Sequence, residues 1–244
     1  MNSISPNLNI MIKACSKASK ILIRDFGEVE NLQVSKKGPK DFVTNADKKV
    51  ENILIKELSV KKFSIISEEA GTILKENKES FWIIDPIDGT TNFLHGVPHF
   101  CISVAYAKRN EIISGVIFDP IKNEMFYGEK NSGAFYNSQR MRVSKKNNLE
   151  ECLFGSNFET GKNINLNLRA GGSAALDLAY VAMGRLDGFF QKKLNIWDIA
   201  AGIPIIEEAG GKINPIDVKK QKNHKIIASS EIIYADLTDK LINF

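Results

Sequence analysis

The sequence predicts an α+β fold in which helices and sheets pack in layers, and two observations lead to this prediction. Some segments repeat apolar residues at the spacing of an amphipathic helix, whereas others are short apolar runs bounded by turn residues, as strands are. The two kinds of segment do not alternate regularly as strand, helix, strand. That irregular order favours layered α+β packing over a simple parallel α/β sheet.

The helices are predicted from apolar spacing together with start and stop residues. Ser5 and Pro6 begin the first helix with a hydroxyl cap and a proline at the first helical position, and Gly27 ends it. A second helix begins after Thr44-Asn45. The predicted helical ranges are 6–26, 45–58, 173–183, 197–208 and 231–241.

The strands are predicted from short apolar runs. Residues 100–136 indicate an antiparallel meander, because the runs there are separated by turn residues such as Asp119-Pro120. Two earlier runs end in acidic residues, so we expect buried strands that carry these acids to one rim. The predicted strand ranges are 63–66, 81–84, 101–107, 112–118, 124–127, 151–155, 187–191 and 226–228.

The composition is that of an ordinary globular protein. The chain has 244 residues, 43% hydrophobic and 25% charged, which argues against disordered, collagen-like and coiled-coil classes. We predict one domain over 1–244, with a soft internal boundary near 144–150. The net charge of +4 comes from lysines scattered along the chain, which we interpret as solvated loop ends and not as a nucleic-acid surface.

The cysteines and the N-terminus predict a cytoplasmic protein. Cys15, Cys101 and Cys152 are far apart and odd in number, so they are interpreted as reduced core residues and not as a disulfide framework. Lysines interrupt the N-terminal apolar stretch, which argues against a signal peptide. No run approaches the roughly 20 apolar residues that span a bilayer, so no membrane association is predicted.

Two aspartates directly after the run 81–84 are the strongest candidates for chemistry. Asp85 and Asp88 flank Pro86-Ile87, and the proline is expected to end the strand. Two carboxylates this close favour a hard divalent cation between them. Residues 89–92 then resemble a first helical turn, whose free N–H groups can hold a phosphate. The same pattern is compatible with an Asp-Pro turn in which Asp88 merely caps the helix.

Three further acids have both a structural and a functional interpretation. Glu68 follows the apolar run 63–66, which would place it beside the first two acids, although adjacent glutamates are commonly solvated. Asp47 lies in a predicted first helical turn, where it either stabilises the helix dipole or orients a water molecule. Asp198 is either a helix cap or a metal ligand. The histidines have no metal-binding spacing and are interpreted as structural.

These segments together resemble the inositol monophosphatase family, the magnesium-dependent, lithium-sensitive sugar and inositol phosphatases. The block from Trp82 to Phe93, Trp-Ile-Ile-Asp-Pro-Ile-Asp-Gly-Thr-Thr-Asn-Phe, is highly specific, and the other motifs occur in family order. These other motifs are Asp41 to Asp47, Ser67 to Gly71, Gly172 to Asp177, Trp197 to Gly202 and Glu208 to Gly211. The resemblance implies a layered αβαβα sandwich.

The resemblance also implies a set of metal ligands. Glu68, Asp85 and the carbonyl oxygen of Ile87 would hold one magnesium ion. Asp85, Asp88 and Asp198 would hold a second, and Glu68 would reach a weaker third ion through water. Two to three ions per site are therefore expected, with manganese as a substitute.

The remaining implied roles concern water and substrate. Thr90 and Asp47, together with Glu68, would position and activate the attacking water. The backbone of Gly89 and Thr90 would hold the phosphate. The alcohol side of the substrate would meet the residues Asp88, Gly172, Ser173, Ala174, Gln191 and Asp198.

Three features depart from the family pattern. Gln191 stands where this branch usually carries a glutamate that contacts substrate hydroxyls. The stretch between Cys152 and Gly172 is shorter than expected by about one helix, which is about 11–12 residues. Pro204 lies inside the predicted helix 197–208 and is expected to kink it.

The sequence thus predicts hydrolysis of a small phosphate monoester, with inositol monophosphate or a related polyol or sugar phosphate as substrate. Gln191 and the short segment keep fructose bisphosphate, histidinol phosphate and 3′-phosphoadenosine 5′-phosphate as alternatives. A different class of function, association with RNA polymerase or nucleic acid in transcription and ribosome biogenesis, is implied by some bacterial members that the chain resembles. A homodimer is expected from the resemblance alone.

Overall fold

The computed structural model describes residues 4–28, 34–38, 41–157 and 165–242. Most of the predicted helices are present, with ends that differ from the prediction by a few residues. Within these ranges the helices are α1 (Pro6–Phe26), α2 (Asn45–Leu58), α3 (Thr90–Leu94), α4 (Ala174–Ala182), α5 (Ile196–Ile199), α6 (Gly202–Glu208) and α7 (Glu231–Lys240).

The described strands form three sheets. The first is a hairpin of β1 (Val34–Gly38) and β2 (Asp41–Thr44). The second has eight strands in the order β10-β9-β8-β7-β6-β5-β3-β4, and the third has five in the order β12-β11-β13-β15-β14. The strands of the eight-stranded sheet are β3 (Phe63–Ser67), β4 (Gly71–Ile73), β5 (Asn77–Asp88), β6 (Cys101–Lys108), β7 (Glu111–Asp119), β8 (Glu124–Glu129), β9 (Gly133–Tyr136) and β10 (Gln139–Arg140). Those of the five-stranded sheet are β11 (Leu153–Gly155), β12 (Asn167–Arg169), β13 (Gly188–Leu194), β14 (Gly211–Ile213) and β15 (His224–Ser230).

Three buried apolar clusters divide these elements into five layers. One cluster packs α1 and α2 against one face of the eight-stranded sheet. A second joins the opposite face of that sheet, through α4, α5 and α6, to the five-stranded sheet. The third packs α7 on the outer face of the five-stranded sheet. The layers therefore follow the order αβαβα, which confirms the predicted sandwich.

The first helix begins where the sequence predicts. The Ser5 Oγ accepts a hydrogen bond from Leu8 N at 3.2 Å, and Pro6 occupies the first turn. Small and apolar residues fill one buried face, so the helix packs closely against α2 and the sheet. The turn at Gly27 ends it as expected.

The expectation that Pro86 ends its strand is wrong. Strand β5 continues through Asp88 and pairs with β6 on both sides of the proline, with Asp85 opposite Ser103 and Asp88 opposite Cys101. The register shifts between these two pairs, so two residues of β5 are accommodated as a bulge. Proline lacks an N–H group and is tolerated in a sheet at such unpaired positions.

The single helix predicted for 197–208 is also wrong, because the structure divides it. Helix α5 ends at Ile199 and α6 starts at Gly202, so Pro204 lies in the first turn of the second helix. A proline cannot donate to the carbonyl four residues earlier and its ring crowds that carbonyl, which prevents one continuous helix. The sequence correctly predicted that Pro204 interrupts the helix, but the interruption is a division into two helices and not a kink.

Other differences lie at element ends. The strand predicted for 151–155 begins only at Leu153, because Asn148 Oδ1 accepts a hydrogen bond from Glu150 N at 3.1 Å and holds a short 3-10 turn over Leu149–Glu151. Short strands without a strong apolar pattern were not predicted, namely β1, β2, β4, β9, β10, β12 and β14. The shortened stretch between Cys152 and Gly172 includes residues 158–164, which lie outside the described residues. In the described part of the chain, no helix is both long enough and apolar enough to cross a membrane.

Candidate active site

The two acidic strand ends lie side by side. Strands β3 and β5 are parallel neighbours, with Ser67 opposite Ile84, so the next residues of both strands reach the same edge of the sheet. Glu68 N donates to the Ile84 carbonyl at 3.3 Å and continues the ladder by one bond. Parallel pairing therefore brings Glu68 next to Asp85, as the sequence predicted.

The bulge in β5 shapes the turn that follows. Asp85 Oδ1 accepts a hydrogen bond from Ile87 N at 3.0 Å, which fixes this carboxylate against its own backbone. Gly89 then adopts φ 98°, and a Cβ there would lie 3.0 Å from the His99 carbonyl. Only glycine combines that left-handed backbone with so close an approach, so the chain can turn directly into α3.

Asp88 is held by a helix other than the one it was expected to cap. Its Oδ2 accepts hydrogen bonds of 2.6 Å from both Ser173 Oγ and Ala175 N, at the start of α4. The cap of α3 is Gly89, which makes no side-chain hydrogen bond. The alternative interpretation of Asp88 as a cap of the helix that follows it is therefore wrong. Asp88 instead joins the eight-stranded sheet to α4.

Asp198 reaches the same region because α5 and α6 pack very closely on the sheet. A Cβ added to Gly115 of β7 would lie 2.1 Å from the Ala201 carbonyl, and one added to Gly128 of β8 would lie 2.9 Å from Ile205 Cα. Asp198 Oδ2 accepts a hydrogen bond from Asn195 N at 2.7 Å, in a capping box at the third position of α5. The helix segment packs close to the sheet as the sequence suggested, and the glycines that permit this approach are Gly115 and Gly128 of the sheet.

These elements enclose a pocket of about 200 Å³. Most of the predicted site residues line it, whereas Ser173 and Asp47 do not. The lining residues are Glu68, Asp85, Ile87, Asp88, Gly89, Thr90, Asn157, Gly172, Ala174, Gln191, Leu194, Asn195 and Asp198.

The pocket holds four carboxylates and no basic side chain among its lining residues. Burial raises the pKa of Glu68 to about 9, and the negative charges of Asp198 and Asp47 add to the rise. Burial and the charge of Glu68 likewise raise the pKa of Asp85 well above its usual range. Burial and the charge of Asp88 raise the pKa of Asp198 to about 7. The site therefore concentrates acidic groups that no residue of the pocket lining balances.

The donor chemistry of this pocket fits divalent cations. Carboxylate and carbonyl oxygens are the ligands that magnesium and manganese prefer, and a cation would remove the repulsion among the acids. In the described residues, no three acidic, histidine or cysteine side chains are arranged to hold a metal ion as they stand. Asp85, Asp88 and Asp198 each accept hydrogen bonds from the protein on one carboxylate oxygen.

Asp47 and Thr90 lie beside the pocket acids. Asp47 is in the first turn of α2 and is only 2% exposed, and its charge contributes to the raised pKa of both Glu68 and Asp85. Thr90 Oγ1 donates a hydrogen bond to the Ile87 carbonyl at 2.9 Å. The two residues thus adjoin the carboxylates that we expect to hold metal.

The opposite wall of the pocket is neutral. Gly172 has φ 83°, and a Cβ there would lie 2.9 Å from Asn92 Nδ2. Asn92 Nδ2 donates to the carbonyls of Gly171 and His99, at 2.9 and 2.7 Å, and so fixes this wall against α3. Gln191 Oε1 is buried and has no hydrogen-bond partner among the described residues. Gln191 therefore contributes a neutral polar side chain to this wall, in place of an acid.

Sequence reasoning missed Glu51. Its Oε1 accepts hydrogen bonds from Ser67 Oγ, from Glu69 N at 3.2 Å and from Ala70 N at 3.0 Å. These three donors surround Glu68, so Glu51 holds the turn that aims it. The available signal was helical spacing, because Glu51 lies four residues after Asp47 and so on the same face of α2.

Comparisons with known proteins identify the family of the chain. The model of the inositol monophosphatase family matches residues 4–243. The crystal structure of the extragenic suppressor protein suhB from Bartonella henselae superimposes with a TM-score of 0.90 at 43% identity, over 97% of this chain and 98% of that one. The fold and site define a phosphatase of the layered αβαβα type. The chain belongs to the inositol monophosphatase family and is a phosphoric monoester hydrolase.

Curated relatives carry three kinds of name. The inositol-1-monophosphatase of Mesorhizobium japonicum is 42% identical, over 93% of this chain and 92% of its own length. The fructose-1,6-bisphosphatase/inositol-1-monophosphatase of Thermotoga maritima is 39% identical, over 97% and 95%. The Nus factor SuhB of Escherichia coli is 38% identical, over 86% and 85%. These relatives thus share one family and carry names that differ in substrate or partner.

Proposed function

We propose that this protein hydrolyses inositol monophosphate, or a related small polyol or sugar phosphate, with magnesium as the cofactor. One observation carries the proposal: four carboxylates, with Asp85 buried and the other three half-buried, surround a pocket that has no basic residue in its lining. A phosphate monoester is anionic and would be repelled by these acids alone. Cations between the two sets of negative charge would reverse that repulsion.

Glu68, Asp85, Asp88 and Asp198, with the Ile87 carbonyl, would hold two to three magnesium ions. When bound, the ions supply charge neutralisation and a lowered pKa for water, as metal sites of phosphatases do. Asp47, Glu68 and Thr90 would orient the attacking water. Gly89 and Thr90 would hold the phosphate, and positioning of this kind is most of what phosphoryl transfer requires of a protein.

The test is phosphate release from inositol 1-phosphate by the purified protein, with a magnesium titration and manganese as a substitute. We expect saturable release that requires the metal and that lithium inhibits. Absence of release from this compound and from a broad panel of monoesters, at any concentration of either metal, would refute the proposal. Folding of the protein under assay conditions is checked by circular dichroism.

A second substrate class is favoured by Gln191 and by the name of the Thermotoga maritima relative. A glutamine presents both a donor and an acceptor to a hydroxyl and carries no charge, so it tolerates a second phosphate group better than a glutamate does. We therefore propose that fructose bisphosphate, histidinol phosphate and 3′-phosphoadenosine 5′-phosphate be compared with inositol 1-phosphate. The ranking of kcat/KM decides among them.

The remaining proposals concern assembly and location. Relatives named Nus factor SuhB motivate an association with RNA polymerase or nucleic acid, and a pull-down that recovers neither would remove it. A homodimer is proposed from family membership and is tested by sedimentation. Three buried, unpaired cysteines suit the cytoplasm. One domain is proposed because a single apolar cluster includes residues of both large sheets.

A further inference from the structure

A second cavity lies away from the acidic pocket, with which it shares no lining residue. It has a volume of about 520 Å³ and lies between the eight-stranded sheet and the segment that precedes β15. Cavities of about 300–1,000 Å³ are typical of small-molecule sites. Its lining residues are Ile66, Thr72, Lys78, Glu79, Phe81, Ala107, Arg109, Asn110, Val218, Lys219 and Gln221.

The floor and the rim of this cavity differ in character. Ile66, Phe81, Ala107 and Val218 make an apolar floor, and most of the surface that the cavity exposes is apolar. The charged groups are those of Lys78, Glu79, Arg109 and Lys219. One acid against three bases leaves an excess of positive charge around an apolar floor.

The two lysines are available to a ligand. Arg109 Nε is paired with Glu79 Oε2 at 3.0 Å, and Arg109 N also donates to the Glu79 carbonyl at 2.9 Å, so this pair is already engaged. Lys78 and Lys219 are exposed, and neither makes a salt bridge to a residue of the described ranges. Two uncompensated ammonium groups beside an apolar floor suit a molecule with an apolar body and an anionic group.

We propose that this cavity binds a small amphipathic anion, with an aromatic or aliphatic body on Phe81 and Val218 and an anionic group between Lys78 and Lys219. This site goes beyond the proposed phosphatase reaction, because its ligand is neither substrate nor metal. The charge of the rim selects an anion over a neutral molecule. The volume of about 520 Å³ accommodates a compound of two or three rings.

Hydrogen bonds connect the cavity to the acidic pocket. Gln221 Nε2 donates to Thr72 Oγ1 at 3.0 Å, and the Gln221 carbonyl accepts from Ile196 N at 2.8 Å. Ile196 is the first residue of α5, the helix that carries Asp198, and Thr72 pairs with Ile66 just before Glu68. A ligand that displaces Gln221 would therefore act on two of the four acids, so we expect occupancy to change phosphatase activity.

The binding test uses 1-anilinonaphthalene-8-sulfonate, an aromatic anion whose fluorescence rises in apolar sites, with the full-length wild-type protein. We expect saturable binding at one site, unchanged by inorganic phosphate with magnesium, which would occupy the acidic pocket instead. The neutral analogue N-phenyl-1-naphthylamine should bind about tenfold more weakly. Equal binding of the two dyes, or displacement by phosphate with magnesium, would overturn the proposal.

Charge reversals locate the site. Lys78→Glu with Lys219→Glu should weaken binding of the anionic dye by about tenfold, because two attractions become repulsions. The matched control is Lys13→Glu with Lys20→Glu, two exposed lysines of α1, which changes the net charge equally and should leave the affinity within about twofold. Equal loss in both double variants would show a nonspecific charge effect and refute the site. A Thr72→Trp variant, which fills the rim, should abolish binding.

The effect of the bound dye on phosphatase activity is measured separately from binding. Saturating dye should change the rate of substrate hydrolysis by the wild type and leave the Lys78→Glu, Lys219→Glu variant unaffected. Dye binding without any change in rate would overturn the coupling through Gln221 and leave the site itself supported. Loss of the proposed phosphatase activity would not affect the binding measurements, so the two proposals fail independently.

Discussion

Glu124 and Asp85 are both buried carboxylates of the eight-stranded sheet, but their neighbours carry opposite charges. Both Glu124 oxygens accept hydrogen bonds from the Arg185 guanidinium, and the hydroxyls of Tyr136 and Tyr180 each lie 3.3 Å away. Burial alone would raise the pKa of Glu124, but Arg185 and the tyrosines outweigh it and hold this pKa below its usual range. Burial and the negative charges of neighbouring acids, Glu68 first among them, raise the pKa of Asp85.

This difference distinguishes Glu124, which stabilises the fold, from Asp85, which we propose binds metal. A carboxylate paired with a cationic side chain of the same protein, as Glu124 is with Arg185, has its charge neutralised and stabilises the fold when ionised. A carboxylate among other carboxylates lowers the stability of the fold, and a bound cation would offset the repulsion among them. Substitutions at the two places should therefore have opposite effects on stability and on activity.

The largest effect is expected for Asp85→Asn. It removes the proposed shared metal ligand, so kcat/KM should fall by about 10³-fold, the several kcal/mol that metal-assisted charge stabilisation supplies. Without metal the variant should be at least as stable as the wild type, because one repelling charge is gone. Phosphate release and thermal unfolding in a chelator measure the two effects. Asp236→Asn, at an exposed position of α7, is the control and should change neither. Wild-type activity in Asp85→Asn would contradict the assignment.

Metal addition is the next largest effect. Magnesium that binds only the folded protein at 100 times its Kd should stabilise it by about 2.7 kcal/mol. The wild type should therefore melt at a higher temperature with magnesium than in a chelator, and the shift should be lost in Asp85→Asn. A Glu124→Gln variant should keep the magnesium-dependent rise in melting temperature, because Glu124 is paired with Arg185 and does not line the acidic pocket. A shift that survives in Asp85→Asn would mean that magnesium binds elsewhere.

Among the substitutions, Glu124→Gln should lower the free energy of unfolding most. Removing one partner of a buried pair leaves an uncompensated charge and costs about 3–5 kcal/mol when both are fully buried. The Arg185 side chain is 37% exposed, so water can solvate it and we expect about 2 kcal/mol. Urea unfolding measures this loss, and activity at saturating magnesium should be nearly unchanged. Glu76→Gln, which breaks the exposed pair with Lys62, serves as the control and should change the unfolding free energy by less than about 0.5 kcal/mol.

The acids were predictable because their positions depend on local pattern. Glu68 and Asp85 follow apolar strands, and strand ends can be found from one sequence. Asp198 was ambiguous between cap and ligand, because its place depends on how closely α5 and α6 approach the sheet. That approach is set by Gly115 and Gly128, which are far away in sequence.

Glu124 and Arg185 show what a single sequence does not reveal. They are 61 residues apart and come from β8 and the turn after α4. Neither belongs to a motif, and ion pairs of this kind follow from packing between layers. The β5 bulge and the division before Pro204 were missed for a related reason. A proline in the sequence indicates that a backbone hydrogen bond is missing. Whether the result is a bulge, a kink or a helix end depends on the neighbouring strand or sheet.

A smaller effect is expected for Glu51→Gln, which tests how the functional acids are aimed. The amide keeps the size of the carboxylate but weakens the bonds around Glu68. Residues that orient metal ligands typically contribute about 10–100-fold to affinity or activity. We expect the magnesium concentration for half-maximal activity to rise by about tenfold, with kcat recovering at high magnesium.

The matched control for this change is Glu57→Gln on the same helix. Glu57 makes a surface pair with Lys17 and does not contact the pocket. It should leave the magnesium requirement unchanged. A Glu51→Gln variant that loses kcat at every magnesium concentration would indicate that Glu51 supports the fold generally and does not aim Glu68.

The smallest effect is the acid dependence of the structural pair. The pKa of Glu124 is lowered in the folded state, and that of a glutamate in an unfolded chain is about 4.3. The stability that Glu124 contributes is therefore fully present above that value and is lost as the pH falls through its lowered folded pKa. Urea unfolding in a chelator should show a constant difference between wild type and Glu124→Gln from pH 7 to about pH 5, and a narrowing one in more acidic solution. Protonation removes the repulsion among the pocket carboxylates, whereas it weakens the ion pair of Glu124 with Arg185. A stability difference that widens in acid would therefore show that Glu124 behaves like the pocket carboxylates.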